Sequence, residues 1–148
     1  MNKIYAFLII ITVIALLFFK ALAFYEFDTK QRYIKNTIDT TAHKVMITGV
    51  LTKGDKEELI TDLNKLGDFT EESVILESGS INSNGSMSGL FPYTTGVILD
   101  RGEVFSIKVQ SKNESLTSKI EGKSAVENGK LYYRAKAICR VEKKQTDE

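Results

Sequence analysis

Ile4-Tyr5-Ala6-Phe7-Leu8-Ile9-Ile10-Ile11-Thr12-Val13-Ile14-Ala15-Leu16-Leu17-Phe18-Phe19 runs without a charge, is broken by Lys20, and resumes as Ala21-Leu22-Ala23-Phe24-Tyr25. A helix apolar on every side must be buried in a large protein or in lipid, and a chain of 148 residues is too small to hide it. At about 1.5 Å of rise per residue, Ile4–Phe19 falls short of a hydrocarbon core roughly 30 Å thick. Counting on through Tyr25, with Lys20 snorkelling to the headgroups, makes a span. Residues 1–25 are therefore expected to form an N-terminal transmembrane segment, marked by Ile4, Phe7, Ile10, Ile14, Leu17 and Phe19, and the membrane is the first partner expected.

Two uses of such a segment are open. In the first it is a permanent signal anchor, with Phe18, Phe19, Phe24, Tyr25 and Phe27 gathered at the outer interface. In the second, Lys3 supplies a charged n-region, Ile4–Phe19 an h-region, and Ala21-Leu22-Ala23 a small-x-small cleavage site, with Ala21 and Ala23 as its small residues. The h-region is long for a cleaved signal, and the chain beyond stays aromatic and flows into a helix, so retention is the expectation. Orientation pits two signals against each other. Lys20, Lys30, Arg32 and Lys35 outnumber Lys3 and the amino group, and that count alone favours a cytoplasmic C-terminal domain. The three-residue tail ahead of Ile4 resembles an export signal, and on that ground the chain is expected at the cell membrane, single-pass, with its C-terminal domain extracytoplasmic.

Residues 26–148 fit one small domain with a modest core. Of the 20 Lys and Arg, Lys3 and Lys20 flank the apolar segment, and the others are interspersed with 19 Asp and Glu. Such a mixed, near-neutral surface lacks the one-sided basic excess of a nucleic-acid binder, so no nucleic acid is expected as a partner. Cys139 is the only cysteine, which excludes an intrachain disulfide and any thiol cluster for a metal.

From Thr29 to Leu51 the residues Tyr33, Ile34, Ile38, Ala42, Val45, Met46 and Gly49 recur at steps of three and four, with Lys35, Asp39 and Lys44 turned away. That spacing predicts an amphipathic helix. No proline or glycine separates it from the apolar segment, so one long helix is expected, half in lipid and half packed on the domain. Thr52-Lys53-Gly54 breaks the pattern, and Asp55 is placed to cap a second helix with Glu57 and Glu58 in its first turn. Leu59, Ile60, Leu63 and Leu66 form the buried stripe of that helix, and Gly67 stands where a left-handed C-terminal cap belongs. After Phe69 the period changes to alternation, from Val74 and Leu76 onward, with a Ser-, Gly- and Asn-rich loop over Ser78–Gly89. Gly96–Asp100 and Glu103–Gln110 flank Arg101-Gly102 as a hairpin, with Phe105, Ile107 and Val109 on one face. Asn128-Gly129 predicts a type I′ turn. It launches the longest strand, in which Leu131, Tyr133, Ala135, Ala137, Cys139 and Val141 share a face, and a solvated tail follows from Glu142 to Glu148. The fold class expected is α+β: a long N-terminal helix, a short second helix and an antiparallel sheet.

Nothing in this layout assembles a reaction centre. His43 is the only histidine, one helical turn from Asp39, and a metal site needs more ligands than its neighbours supply. Gly85-Ser86-Met87-Ser88-Gly89 places Met87 where a nucleophile elbow needs serine, and no Gly-Lys-Ser or Gly-Lys-Thr follows a strand to cradle phosphate. Glu57 with Glu58, and Glu71 with Glu72, read as helix-start acids. Asn84-Gly85-Ser86 and Asn113-Glu114-Ser115 fit the glycosylation pattern, which is short enough to arise by chance. Cys139 is expected to face the core as a small apolar residue. No catalytic residue, cofactor, metal or small-molecule substrate is expected.

Tyr33-Ile34 through Asp39, Ala42 and Gly49 on the helix, Leu63 to Leu66-Gly67 after it, and Leu99-Asp100-Arg101-Gly102-Glu103 opening a strand give a layout that resembles pilins and pseudopilins. More narrowly it resembles the TadE-like minor pilins, and within them an uncharacterised branch found beside secretion and conjugation genes of Gram-positive bacteria. The resemblance implies a pilin-like fold and a non-enzymatic, membrane-anchored subunit whose partners are other pilus or secretion-system subunits. Prepilin peptidases cut after a glycine just ahead of the apolar segment, whereas the first glycine here is Gly49. The glutamate that many pilins carry within that segment is also missing, and both departures point to an unprocessed accessory subunit. Cleavage near Ala23 would instead release an exported binding or adhesion module.

Overall fold

The computed structural model describes residues 2–122 and 130–143. Helix α1 (Asn2–Thr48) is unbroken through the apolar and the amphipathic stretches alike, as expected where neither proline nor glycine interrupts the backbone. It stops at Gly49, whose φ of 75° is left-handed and whose amide donates to Val45 O at 2.7 Å. This is the glycine-terminated helix end that side chains other than glycine disfavour. Helix α2 (Lys53–Asn64) and a 3₁₀ turn (Glu71–Ser73) follow. Then come β1 (Val74–Gly79), β2 (Phe91–Pro92), β3 (Val104–Glu114), a short helix α3 (Leu116–Ile120) and β4 (Tyr132–Arg140). The four strands form one antiparallel sheet in the order β2-β1-β3-β4. The expected α+β class, with its long first helix, short second helix and antiparallel sheet, is the one found.

The domain's core lies between α1 and one face of the sheet. Ile34, Ile38, Ala42 and Val45 are buried on α1, against Phe105, Ile107, Val109 and Ala137, with Leu59 and Leu63 of α2 and Val74 and Leu76 of β1 closing the cluster. The register fixes this face: Leu76 stands opposite Ile107, and Ile107 opposite Ala137, and directly opposed residues share a side. The stripe on α1 is narrower than expected, since Tyr33 is exposed at 57%. Ile34, Ile38, Ala42 and Val45 alone keep the three- and four-residue step that one helix face allows.

Several local expectations are corrected. Helix α2 begins earlier than its acids suggest: Thr52 is the N-cap, Asp55 N donates to Thr52 Oγ1 at 3.1 Å, and Thr52 N donates back to Asp55 Oδ2 at 3.0 Å. Asp55 is the third helical residue of a capping box, and Glu57 and Glu58 fall beyond the first turn. The Lys44 ammonium, then the Thr52 side chain, hold the Asp55 carboxyl at about 2. Gly67 is not left-handed; a Cβ there would lie 3.0 Å from the Phe69 ring, so close packing is what wants glycine. Arg101-Gly102 does turn, with Gly102 at φ 95° and Glu103 N donating to Asp100 O at 3.1 Å. Gly96–Asp100 is nevertheless no partner of β3. The chain leaving α1 captures it instead: Leu99 N donates to Gly49 O at 2.7 Å and Gly96 N to Leu51 O at 2.8 Å. Leu131 is exposed at 37% rather than buried. Glu142 N reaches Met46 O at 2.8 Å, so the domain extends past the start of the expected tail. Asn128-Gly129 and residues 144–148 lie outside the described residues.

α1 runs alongside β4 in the same direction, and it covers the sheet's free edge. Gln31 donates to Arg134 O and accepts from Arg134 N at 3.2 Å, and Lys35 Nζ donates to Lys136 O at 2.9 Å. An uncovered edge is a template for pairing with another chain. Gln31→Ala, which removes both contacts to Arg134, is expected to cost about 1 kcal/mol of stability and to raise the dimer fraction of the detergent-solubilised chain in light-scattering chromatography. An unchanged mass distribution would show that the edge is closed without Gln31.

Candidate functional site: the junction of apolar helix and domain

The most apolar 18-residue window of α1 has a mean hydropathy of 2.7, and only 6% of it is buried. By length and composition this helix can cross a membrane, as an anchor or a signal sequence alike. Ile4, Phe7, Ile10, Ile14, Leu17 and Phe19 are each more than half exposed, between 55% and 64%. Thr12, the one hydroxyl among the aliphatic residues of the run, donates to Leu8 O at 2.9 Å, so its proton is satisfied within the helix. Phe18, Phe19, Phe24 and Tyr25 stay exposed at 61–68%. Phe27 departs from the expected aromatic belt: it is part-buried and stacks on Tyr133 with ring centroids 5.3 Å apart.

The domain makes its first grip on the helix at Ala23. Ala23 is 5% exposed, the first buried residue of the described chain, while Ala21 two positions earlier is exposed. What covers Ala23 is α3, whose Thr117 Oγ1 donates to Ala23 O at 2.9 Å. The α-helix leaves that carbonyl a second lone pair, and the small alanine side chain lets α3 come close enough to use it. α3 is itself tied down: Ser115 is its N-cap, with Ser118 N donating to Ser115 Oγ at 3.3 Å, and Ser118 Oγ donates to Glu114 Oε2 at 2.9 Å. Below Ala23 the helix surface carries intrahelical ion pairs one turn apart, Lys30 with Glu26 at 2.7 Å and Arg32 with Asp28 at 2.5 Å. The Glu26 carboxylate raises the Lys30 ammonium above its ordinary pKa, and the Asp28 carboxylate does the same for the Arg32 guanidinium.

Compared with known family models, curated proteins and solved structures, the chain matches none of them.

The titratable groups singled out by the sequence are scattered. His43 is exposed, and Asp39, its expected partner, is paired with Lys35. Glu71 and Glu72 lie in the exposed 3₁₀ turn. Ser86 bonds Asn84 Oδ1 in the loop after β1, and Asn113 Nδ2 donates to Asp68 Oδ2 at 2.7 Å. Among the described residues, no three His, Cys, Asp or Glu are grouped closely enough to hold a metal ion. Ser115, Thr117 and Ser118 are the junction residues that the sequence hides. Ser115 read as the end of a glycosylation pattern, and its value as an N-cap was the one signal available.

Cys139 faces the core as expected. It is half-buried, its thiol points at Ala42 O at 3.2 Å, and burial pushes its pKa up to about 11. The thiolate is the reactive form. At pH 8 the folded chain is expected to react with iodoacetamide about 100-fold more slowly than a thiol titrating at its ordinary value. Stability drawn from the neutral thiol is complete below about 9 and is lost as pH rises toward 11. Equal alkylation rates before and after denaturation would contradict this placement.

Proposed function

We propose that this chain is a non-enzymatic, single-pass membrane subunit of a pilus-like, Tad-type or conjugative secretion assembly, anchored by α1 with its domain outside the cytoplasm. The observation that carries the anchored reading is Ala23. A signal peptidase has to take Ala21-Leu22-Ala23 as extended chain, yet these residues lie inside α1 and the carbonyl of the scissile bond is held by Thr117. Cleavage of the folded chain would require local unfolding of the junction. The subunit role rests on the layout: a helix whose first half is apolar surface throughout and whose second half packs on an antiparallel sheet, the arrangement that resembles pilins.

Trypsin cuts after Lys20 and Lys30, so the peptide Ala21–Lys30 reports the junction directly. Its recovery from the membrane fraction is the expected result. A peptide beginning at Phe24 in the medium would replace the anchored subunit by a released binding or adhesion module. Side is read separately: protease added outside intact spheroplasts is expected to digest the domain, and protection would place it in the cytoplasm, as the count of Lys20, Lys30, Arg32 and Lys35 favours. Assembly is read by oxidation of Ile10→Cys and Leu17→Cys chains in a Cys139→Ser background. Cross-linked dimers in native membranes are expected, and monomer alone would count against helix-to-helix packing.

A further inference from the structure

The Ala23 contact also sets how the domain meets the bilayer, a consequence that rests on α1 remaining in the membrane as an anchor. From Ile4, about 20 residues at roughly 1.5 Å each cross a hydrocarbon core of about 30 Å. That length brings the far boundary to Ala23, the residue that α3 covers. α3 therefore lies at the level of the headgroups. Its Thr117 and Ser118 face inward, 4% and 0% exposed, whereas Leu116 and Ile120, one turn apart, face outward at 48% and 43%. Leu131, 37% exposed, is fastened beside them: Ser115 N donates to Leu131 O at 2.7 Å, and Leu131 N donates to Ser118 Oγ at 3.1 Å.

Single exposed apolar residues are ordinary on a soluble surface. These three are set apart by being grouped on and beside α3, the helix that bonds Ala23, whose chain neighbours Leu22 and Phe24 are themselves exposed at 48% and 63%. Lys20 on α1 and Lys119 in the last turn of α3 are exposed beside the apolar set in sequence, the cations that an anionic headgroup layer attracts. We propose that α3 and Leu131 form a second membrane contact, in which Leu116, Ile120 and Leu131 enter the headgroup–acyl boundary of the bilayer that α1 crosses and hold the domain flush against it.

The chain contains no tryptophan, so a single introduced tryptophan reports its own surroundings. The full chain is reconstituted into phosphatidylcholine–phosphatidylglycerol vesicles, with and without dibrominated acyl chains, as Leu116→Trp, Ile120→Trp, Leu17→Trp and Ile75→Trp. Leu17→Trp probes the anchor, and Ile75→Trp, at an outer-face position 53% exposed, probes the aqueous domain. The expected result is that the tryptophans at 116 and 120 emit blue-shifted light, lose most of it to brominated lipid and are protected from acrylamide, as at position 17. The one at 75 should be quenched by acrylamide alone. If position 17 is quenched by brominated lipid while 116 and 120 are open to acrylamide, the second contact is overturned and the anchor stands. If position 17 is untouched by brominated lipid, the anchor falls and this contact with it. Positions 116 and 120 shielded from both quenchers would assign the face to a protein neighbour and overturn the lipid contact.

Discussion

Phe105→Ala is expected to cost the domain about 3–5 kcal/mol, the range for emptying a large buried aromatic site. Against a total stability on the order of 5–15 kcal/mol, that loss leaves the fold marginal. Phe105 is fully buried in the middle of the sheet's inner face, opposite Ser78 on β1 and Cys139 on β4. Its ring also meets Tyr93 edge-on, with centroids 5.1 Å apart and planes at 81°. Tyr93 in turn accepts from Leu51 N at 3.1 Å and donates to Val97 O at 2.5 Å. Removing the phenyl ring thus empties the core and frees the phenol that ties the end of α1 to the 93–99 segment. Denaturant unfolding of the full chain in detergent, read from the tyrosine near-ultraviolet signal, should show the midpoint fall steeply. Phe91→Ala, at a residue 64% exposed on β2, should stay within about 0.5 kcal/mol. Equal losses for the two would mean that the packing around Phe105 carries no special weight.

The features legible in the sequence are those set by local period. α1 shows itself through the absence of breakers and the spacing of Ile34, Ile38, Ala42 and Val45, and β3 and β4 through alternation over Phe105–Val109 and over Tyr133–Val141, the latter interrupted by the outward-facing Ile138. What stayed hidden depends on contacts between distant residues. Gly96–Asp100 borders a true turn at Arg101-Gly102, yet it binds Gly49 and Leu51 rather than β3. A turn states only that the chain reverses, and says nothing of which segment receives it. Thr52 and Asp55 are both capping residue types, and the reciprocal bonds that rank them appear only once the backbone is placed. Gly49 and Gly67 both follow helices, but only Gly49 takes the left-handed conformation.

The junction divides the same way. The apolar run announces a membrane segment by composition alone, and Ala21 with Ala23 announces a pair of small residues. Small residues serve peptidases and close packing equally well, so the sequence leaves both uses open. The residue that bonds the Ala23 carbonyl, Thr117, lies 94 positions away on a five-residue helix. A helix that short has too little periodicity to stand out among strands. Its two outward residues, Leu116 and Ile120, gain meaning only from the level at which α1 holds them.

Ile14→Arg is expected to reduce stable membrane insertion of α1 about 100- to 1,000-fold. Ile14 lies at the middle of a span running from Ile4 to Phe24, and it is 60% exposed along the helix. A central arginine costs about 2.5–3.5 kcal/mol on insertion scales, and the lost isoleucine adds about half a kcal/mol. Each 1.4 kcal/mol is about a factor of ten. The cost must depend on depth, because an arginine near the boundary snorkels to the headgroups. Lys20 already stands in the domain-side part of the apolar run. Phe24→Arg should therefore leave the chain in the alkaline-resistant membrane pellet, while Ile14→Arg moves most of it to the supernatant or to degradation. Val13→Arg, one residue from the centre, should behave like Ile14→Arg. A depth-independent response, with Phe24→Arg as damaging as Ile14→Arg, would mean that residues 4–24 are read as a peptide signal or a protein contact rather than by the hydrocarbon core. The same series locates the domain-side boundary independently of Ala23. If the tolerance begins at Lys20 and is complete by Phe24, the bilayer ends where α3 grips the helix.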